Sequence, residues 1–82
     1  MLNVYISSSG RSLQKCDCVE QSNGSAILIV TEEPDNDGLS LGTVLRCGAD
    51  IWEQFKTKEI EILDIEYLDR LQPTQAYLDW LD

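Results

Sequence analysis

The sequence predicts a small single α+β domain spanning residues 1–82, built as an antiparallel sheet of four to five strands with one or two short helices. Three observations carry this. Short runs rich in β-branched residues alternate in polarity along the first half of the chain. An Asn23-Gly24 dipeptide sits between two such runs, the strongest short-range hairpin signal. Helical spacing appears later, at Ile51, Trp52 and Phe55. The chain has 82 residues and a 43% apolar fraction, enough for one core and one domain, and too apolar for a disordered acidic tail.

Leu2-Asn3-Val4-Tyr5-Ile6 is the first strand, with Leu2, Val4 and Ile6 on its buried face. Ser7 to Ser12, with Gly10, forms the turn that follows. Leu13 to Gln21 and Ser25 to Thr31 make the hairpin. A two-residue type I′ turn at Asn23-Gly24 would set Cys18 against Ile29, Cys16 against Thr31 and Lys15 against Glu32. Ser25-Ala-Ile-Leu-Ile-Val is apolar on both parities and so should be a central strand covered on both faces.

Glu32 to Gly38 is a second turn, marked by Asp37-Gly38. Leu41 to Cys47 returns as a fourth strand with Leu41, Thr43, Leu45 and Cys47 on one face. Gly48 ends it. Asp50 is the expected N-cap of a helix over roughly 50–58 (an estimate of its bounds from cap spacing), with Glu53 three residues on in a capping-box position. Glu59-Ile60-Glu61-Ile62 alternates strictly and reads as a strand to about Leu63. Asp64 is expected to cap a helical turn bearing Ile65, Leu68 and Leu71. Gln72-Pro73 would stop it, because the residue before proline avoids the helical region. Thr74 can then cap a last short helix carrying Tyr77, Leu78 and Leu81, with Trp80 to one side.

Charge is the strongest functional signal. There are 15 acids against 6 bases and no histidine, for a net charge of −9. From Glu59 to Asp82 the balance is seven acids to one base, net −6, against net −3 for the preceding residues. A field of this sign repels phosphate and attracts basic surfaces.

The chemistry that this composition excludes is broad. Without histidine there is no ordinary Ser-His or Cys-His nucleophile pair. Glu59 and Glu61 share a parity, but nothing marks a cleft that would raise one carboxyl for acid–base work. Gly38-x-x-x-Gly42 lacks the Lys-Ser/Thr of a phosphate loop. The scattered bases form no stripe for direct nucleic-acid binding. An enzyme is therefore not expected, nor is a cofactor.

Two metal patterns fail on their ligands. With Glu33 as position 1 of a calcium loop, Asp35, Asp37 and Gly38 fall correctly, but positions 9 and 12 are Leu41 and Val44. Cys16-x-Cys18 with Cys47 offers three thiolates and no fourth ligand. An odd cysteine count without a leader signal reads as reduced, buried thiols serving as small core residues. The longest apolar run, Ala26 to Val30, is far too short to span a membrane, and a cytoplasmic location is the expectation.

The candidate partner-binding residues are Glu59, Glu61, Asp64, Glu66 and Asp69, which alternate with apolar residues and should form a continuous ridge. Tyr67, Tyr77 and Trp80 are near in sequence, and of these Tyr77 and Trp80 are the expected aromatic contacts. Aromatics beside carboxylates are common anchors for an Arg- or Lys-rich partner. Charges along such a ridge could stand in for the phosphates of a nucleic acid.

In size and charge the chain resembles the small acidic inhibitors of phages and mobile elements, such as anti-CRISPR proteins and other nucleic-acid mimics. The resemblance implies an inhibitor that occupies the basic, nucleic-acid-binding surface of a protein or nucleoprotein complex. Two other classes fit the same features: an immunity protein that neutralises a basic toxin, and a non-catalytic adaptor subunit using the open Met1–Ile6 strand. A homodimer is a further expectation, because so small a sheet leaves edges that a second copy could cover.

Overall fold

The computed structural model describes residues 2–8, 13–34 and 38–71. These residues form six strands and one helix: β1 (Leu2–Ser7), β2 (Leu13–Glu20), β3 (Ala26–Val30), β4 (Val44–Cys47), α1 (Ala49–Lys56), β5 (Leu63–Asp64) and β6 (Leu68–Leu71). A single 3-10 turn, Ile65–Tyr67, joins the last two strands. The strand order is β5-β1-β2-β3-β4-β6. Every neighbouring pair is antiparallel except β1 with β5, which run parallel, so the sheet is mixed.

The order forces the sheet to curl. β5 and β6 stand at its opposite ends, yet only the 3-10 turn separates them in the chain. Four residues of extended chain reach about 14 Å at most. A flat six-stranded sheet would hold its edges about 24 Å apart at the usual strand spacing. The sheet therefore bends toward closure, and its concave face encloses the core.

Period-two alternation selects that core. Val4 and Ile6 of β1, Cys16 and Cys18 of β2, Ala26, Leu28 and Val30 of β3, and Leu45 and Cys47 of β4 form one buried cluster with Leu63, Leu68 and Trp52. Helix α1 covers this face with Trp52, which is 1% exposed, and with the flanking Ile51 and Phe55. The Trp52 and Phe55 rings stack with centroids 5.4 Å apart. β3 lies inside the sheet and is buried on both parities, since Ile29 (2% exposed) faces away from the cluster, as does Val44 (4% exposed). Gln14 is the buried polar residue of the concave face, and its amide is fully used. It donates to the carbonyls of Glu32 and Leu39 at 3.0 and 2.8 Å and accepts from the Leu39 N–H at 2.8 Å.

Several expectations are corrected. The hairpin is one residue out of the expected register: Cys16 faces Val30, Asp17 faces Ile29, Cys18 faces Leu28 and Glu20 faces Ala26. Its loop has three residues, not two. Gln21 N–H donates to the Ser25 carbonyl and Gly24 N–H to the Gln21 carbonyl, and Gly24 alone in the loop takes a positive φ of 93°. This is the type I turn with a following left-handed residue, the second common hairpin solution. The fourth strand begins at Val44, because Gly42 (φ 87°) turns the chain and leaves Leu41 exposed.

Helix α1 is capped by Gly48, without a side-chain bond, and Asp50 lies within its first turn. The expected strand Glu59–Leu63 shrinks to Leu63–Asp64. The helical turn at Asp64 is present, with the Asp64 carboxylate accepting from the Glu66 N–H at 2.9 Å. It stops at Tyr67, however, and Leu68 to Leu71 form a sixth strand against β4. Most of the Ser7–Ser12 turn and the expected helix after Thr74 lie outside the described residues, as do Asp35 and Asp37 of the acidic turn.

Candidate acidic surface

The acids that dominate the charge lie on one continuous strap, residues 57–71, that starts at the end of α1 and runs to β6. Its first turn is set by the way the helix stops. The Lys58 N–H donates to the Phe55 carbonyl at 3.2 Å and the Glu59 N–H to the Gln54 carbonyl at 2.9 Å. This pair of bonds is the Schellman termination, which requires a left-handed residue at its centre. Lys58 fills that place with φ 68°. The reversal throws Glu59 and Glu61 into solvent.

Two buried leucines then fasten the strap. Leu63 anchors it beside β1 and Leu68 anchors it beside β4, both in the core cluster. Between them, Glu66 and Tyr67 are exposed on the 3-10 turn. Strap acids Glu59, Glu61 and Glu66 make no ion pair among the described residues.

The remaining two sequence-predicted acids are engaged. Asp64 is half-buried and caps the 3-10 turn. Asp69 faces Arg46 across the β4–β6 ladder with an N–O distance of 3.9 Å. The structure thus places all five acids on one strap, but only Glu59, Glu61 and Glu66 remain as free outward carboxylates. Tyr77 and Trp80 lie outside the described residues.

Two features of the strap escaped sequence reasoning. Ile62 and Tyr67 are exposed beside the acids, giving the surface an apolar and aromatic component. The strict alternation of Glu59 to Ile62 had placed Ile62 in a buried row. The second feature is a shallow groove of about 400 Å³ lined by Phe55, Lys56, Lys58, Ile60 and Glu61. Two ammonium groups therefore stand at the start of the acidic strap. Lys56 is itself drawn to Glu20 and Glu53 at 3.5 and 3.7 Å, whereas Lys58 has no ion-pair partner among the described residues. The sequence signal was visible, but it was read only as complementing the helix dipole.

The thiols offer no second site. Cys16, Cys18 and Cys47 are all free and buried. Burial pushes the Cys16 thiol up to about 12, with Asp17 adding to the effect, and the Cys18 thiol up to about 11, with Glu20 adding to it. Burial raises Cys47 as well, against the opposing pull of Arg46. Such thiols are poor nucleophiles and poor ligands. Among the described residues no three Cys, Asp or Glu side chains converge as a metal site. No described helix is long and apolar enough to cross a membrane.

Comparison of the chain with protein-family models, with curated proteins and with solved structures found no match in any of the three.

Proposed function

We propose that this chain is a non-catalytic protein-binding inhibitor of the nucleic-acid-mimic type, which includes anti-CRISPR proteins. It docks the strap on the basic, nucleic-acid-binding surface of a cytoplasmic protein or nucleoprotein complex and blocks access. The observation that supports this reading is the fastening of the strap. Leu63 and Leu68 are held at the two ends of the sheet, and Glu59, Glu61, Glu66 and Tyr67 project from the chain around them. Carboxylates displayed from an anchored segment lose little conformational freedom on binding, so more of their attraction for a basic partner survives as affinity. Complementary charge also speeds encounter and discourages wrong partners.

The test is capture of partners from host lysate with the purified protein, eluted by a salt gradient and identified by mass spectrometry. A basic nucleic-acid-handling protein released by moderate salt is the expected result. A basic toxin in its place would assign the same surface to an immunity protein. Glu61→Lys combined with Glu66→Lys should abolish capture while leaving the melting temperature in place. Capture that persists at about 0.5 M salt, where screening acts within a few Å, would overturn the proposal.

A further inference from the structure

We infer that the open edge of β1 is a self-association surface, on which a second copy of this chain pairs antiparallel. The inference is independent of the acidic strap. β1 is six residues long and is paired with β2 along its whole length, but β5 covers its other edge only at Ile6 and Ser7. From Leu2 to Tyr5 that edge carries no strand among the described residues.

Unpaired edges invite pairing, and monomeric proteins guard them with charge, proline, bulges or brevity. The other edges here are guarded. β5 has only two residues, and β6 carries exposed Asp69 and Arg70 at its centre. β1 has none of these devices. Leu2-Asn3-Val4-Tyr5-Ile6-Ser7 contains no charge and no proline in a chain of net charge −9.

The same neutrality identifies the occupant. An edge without charge selects neither a basic nor an acidic partner. Two copies of an acidic chain approach with least repulsion where neither presents a carboxylate. An antiparallel pair centred on Val4 would set Tyr5 of each copy against Asn3 of the other, because opposed residues share a face. Both residues are exposed, Tyr5 by 50%. The two-fold arrangement makes one surface complementary to itself.

Salt separates this contact from the strap's. Two copies of like charge repel, so screening should tighten the dimer, whereas it should weaken docking on a basic partner. Sedimentation equilibrium of the full chain at about 50 mM and about 0.5 M salt reads the sign directly. The expected result is a reversible dimer whose dissociation constant falls at high salt. Asn3→Lys with Tyr5→Lys places ammonium groups around the two-fold axis at two exposed positions. This variant should remain monomeric at both salt concentrations, with an unchanged circular dichroism spectrum. As a second reading on the unmodified protein, exchange of the Asn3–Tyr5 amides should slow as protein concentration rises. A wild-type chain that stays monomeric at about 0.1 mM, or an undiminished dimer in the folded double variant, would overturn the inference.

Discussion

The indole of Trp52 donates its Nε1–H to the Glu20 carboxylate at 3.1 Å, tying the buried face of α1 to the end of β2. Lys56 approaches the same carboxylate oxygen at 3.5 Å. The indole hydrogen bond holds the Glu20 carboxyl below the ordinary glutamate range, and Lys56 helps, against a smaller opposing effect of desolvation. The stability that this pairing contributes is fully present above the unfolded pKa of about 4.3 and is lost as pH falls through the lower folded value. Glu20→Gln should therefore be less stable than wild type near neutrality, and the difference should vanish in acid. Urea unfolding followed by Trp fluorescence from about pH 7 to about pH 3 measures it. A difference that is constant with pH would show that the carboxylate charge contributes nothing.

Gly38 should not tolerate alanine. A Cβ there would lie 2.6 Å from Gln14 Oε1 and 2.9 Å from the Pro34 Cβ. The Gln14 amide would have to move, and with it the bonds that hold the Glu32 and Leu39 main chain. Leaving a buried Leu39 donor and acceptor unpaired costs about 1–3 kcal/mol. Gly38→Ala and Gln14→Leu should each destabilise by that order, and the double variant by clearly less than their sum. Additive losses would mean that the two residues act separately.

How much of this was legible follows from where one local pattern had one solution. β1 alternates cleanly, so Val4 and Ile6 were assigned correctly to the core. The register of β2 on β3 was not legible, for two physical reasons. Gly24 serves equally in a two-residue type I′ turn or as the left-handed residue after a type I turn. β3 is apolar on both parities, so slipping by one residue exposes no obvious error. The observed register aligns Cys16 and Cys18 with Val30 and Leu28 on the concave face.

The strand at Leu68–Leu71 was hidden for a related reason. A spacing of three between Leu68 and Leu71 reads as helical. On a strand it puts the two leucines on opposite faces, and the curled sheet uses both: Leu68 lies beside Cys47 of the core and Leu71 beside Val44 on the outer face. The acidic strap was legible as composition. What composition could not show was that Asp64 is spent on a cap and Asp69 on Arg46, because both depend on neighbours set by the fold.

The three cysteines should be silent in the native protein. With Cys16 at about 12 and Cys18 at about 11, only about one thiol in 10,000 and one in 1,000 respectively is ionised at pH 8. Ellman's reagent should label all three rapidly in denaturant and far more slowly without it. Its native rate should track global unfolding as denaturant rises. Fast labelling of any one thiol under native conditions would show a local opening of the concave face.

Lys58 bears a backbone cost that glycine would remove. It occupies the left-handed position of the Schellman termination at φ 68°, the one positive φ among the described non-glycine residues. An L-residue in that conformation is disfavoured by about 1–2 kcal/mol, while glycine's greater freedom in the unfolded chain returns part of the gain. Lys58→Gly should therefore stabilise the fold by about 0.5–1 kcal/mol, with Lys58→Ala near neutral as the control that removes the ammonium but keeps the Cβ. The pair separates backbone from charge. If alanine and glycine stabilise equally, the lysine's cost is electrostatic or steric and the turn is not strained. If glycine alone stabilises, the chain keeps a less stable residue where its ammonium joins Lys56 at the head of the acidic strap. Partner capture by Lys58→Gly then shows whether that positive charge limits which basic surfaces the strap accepts.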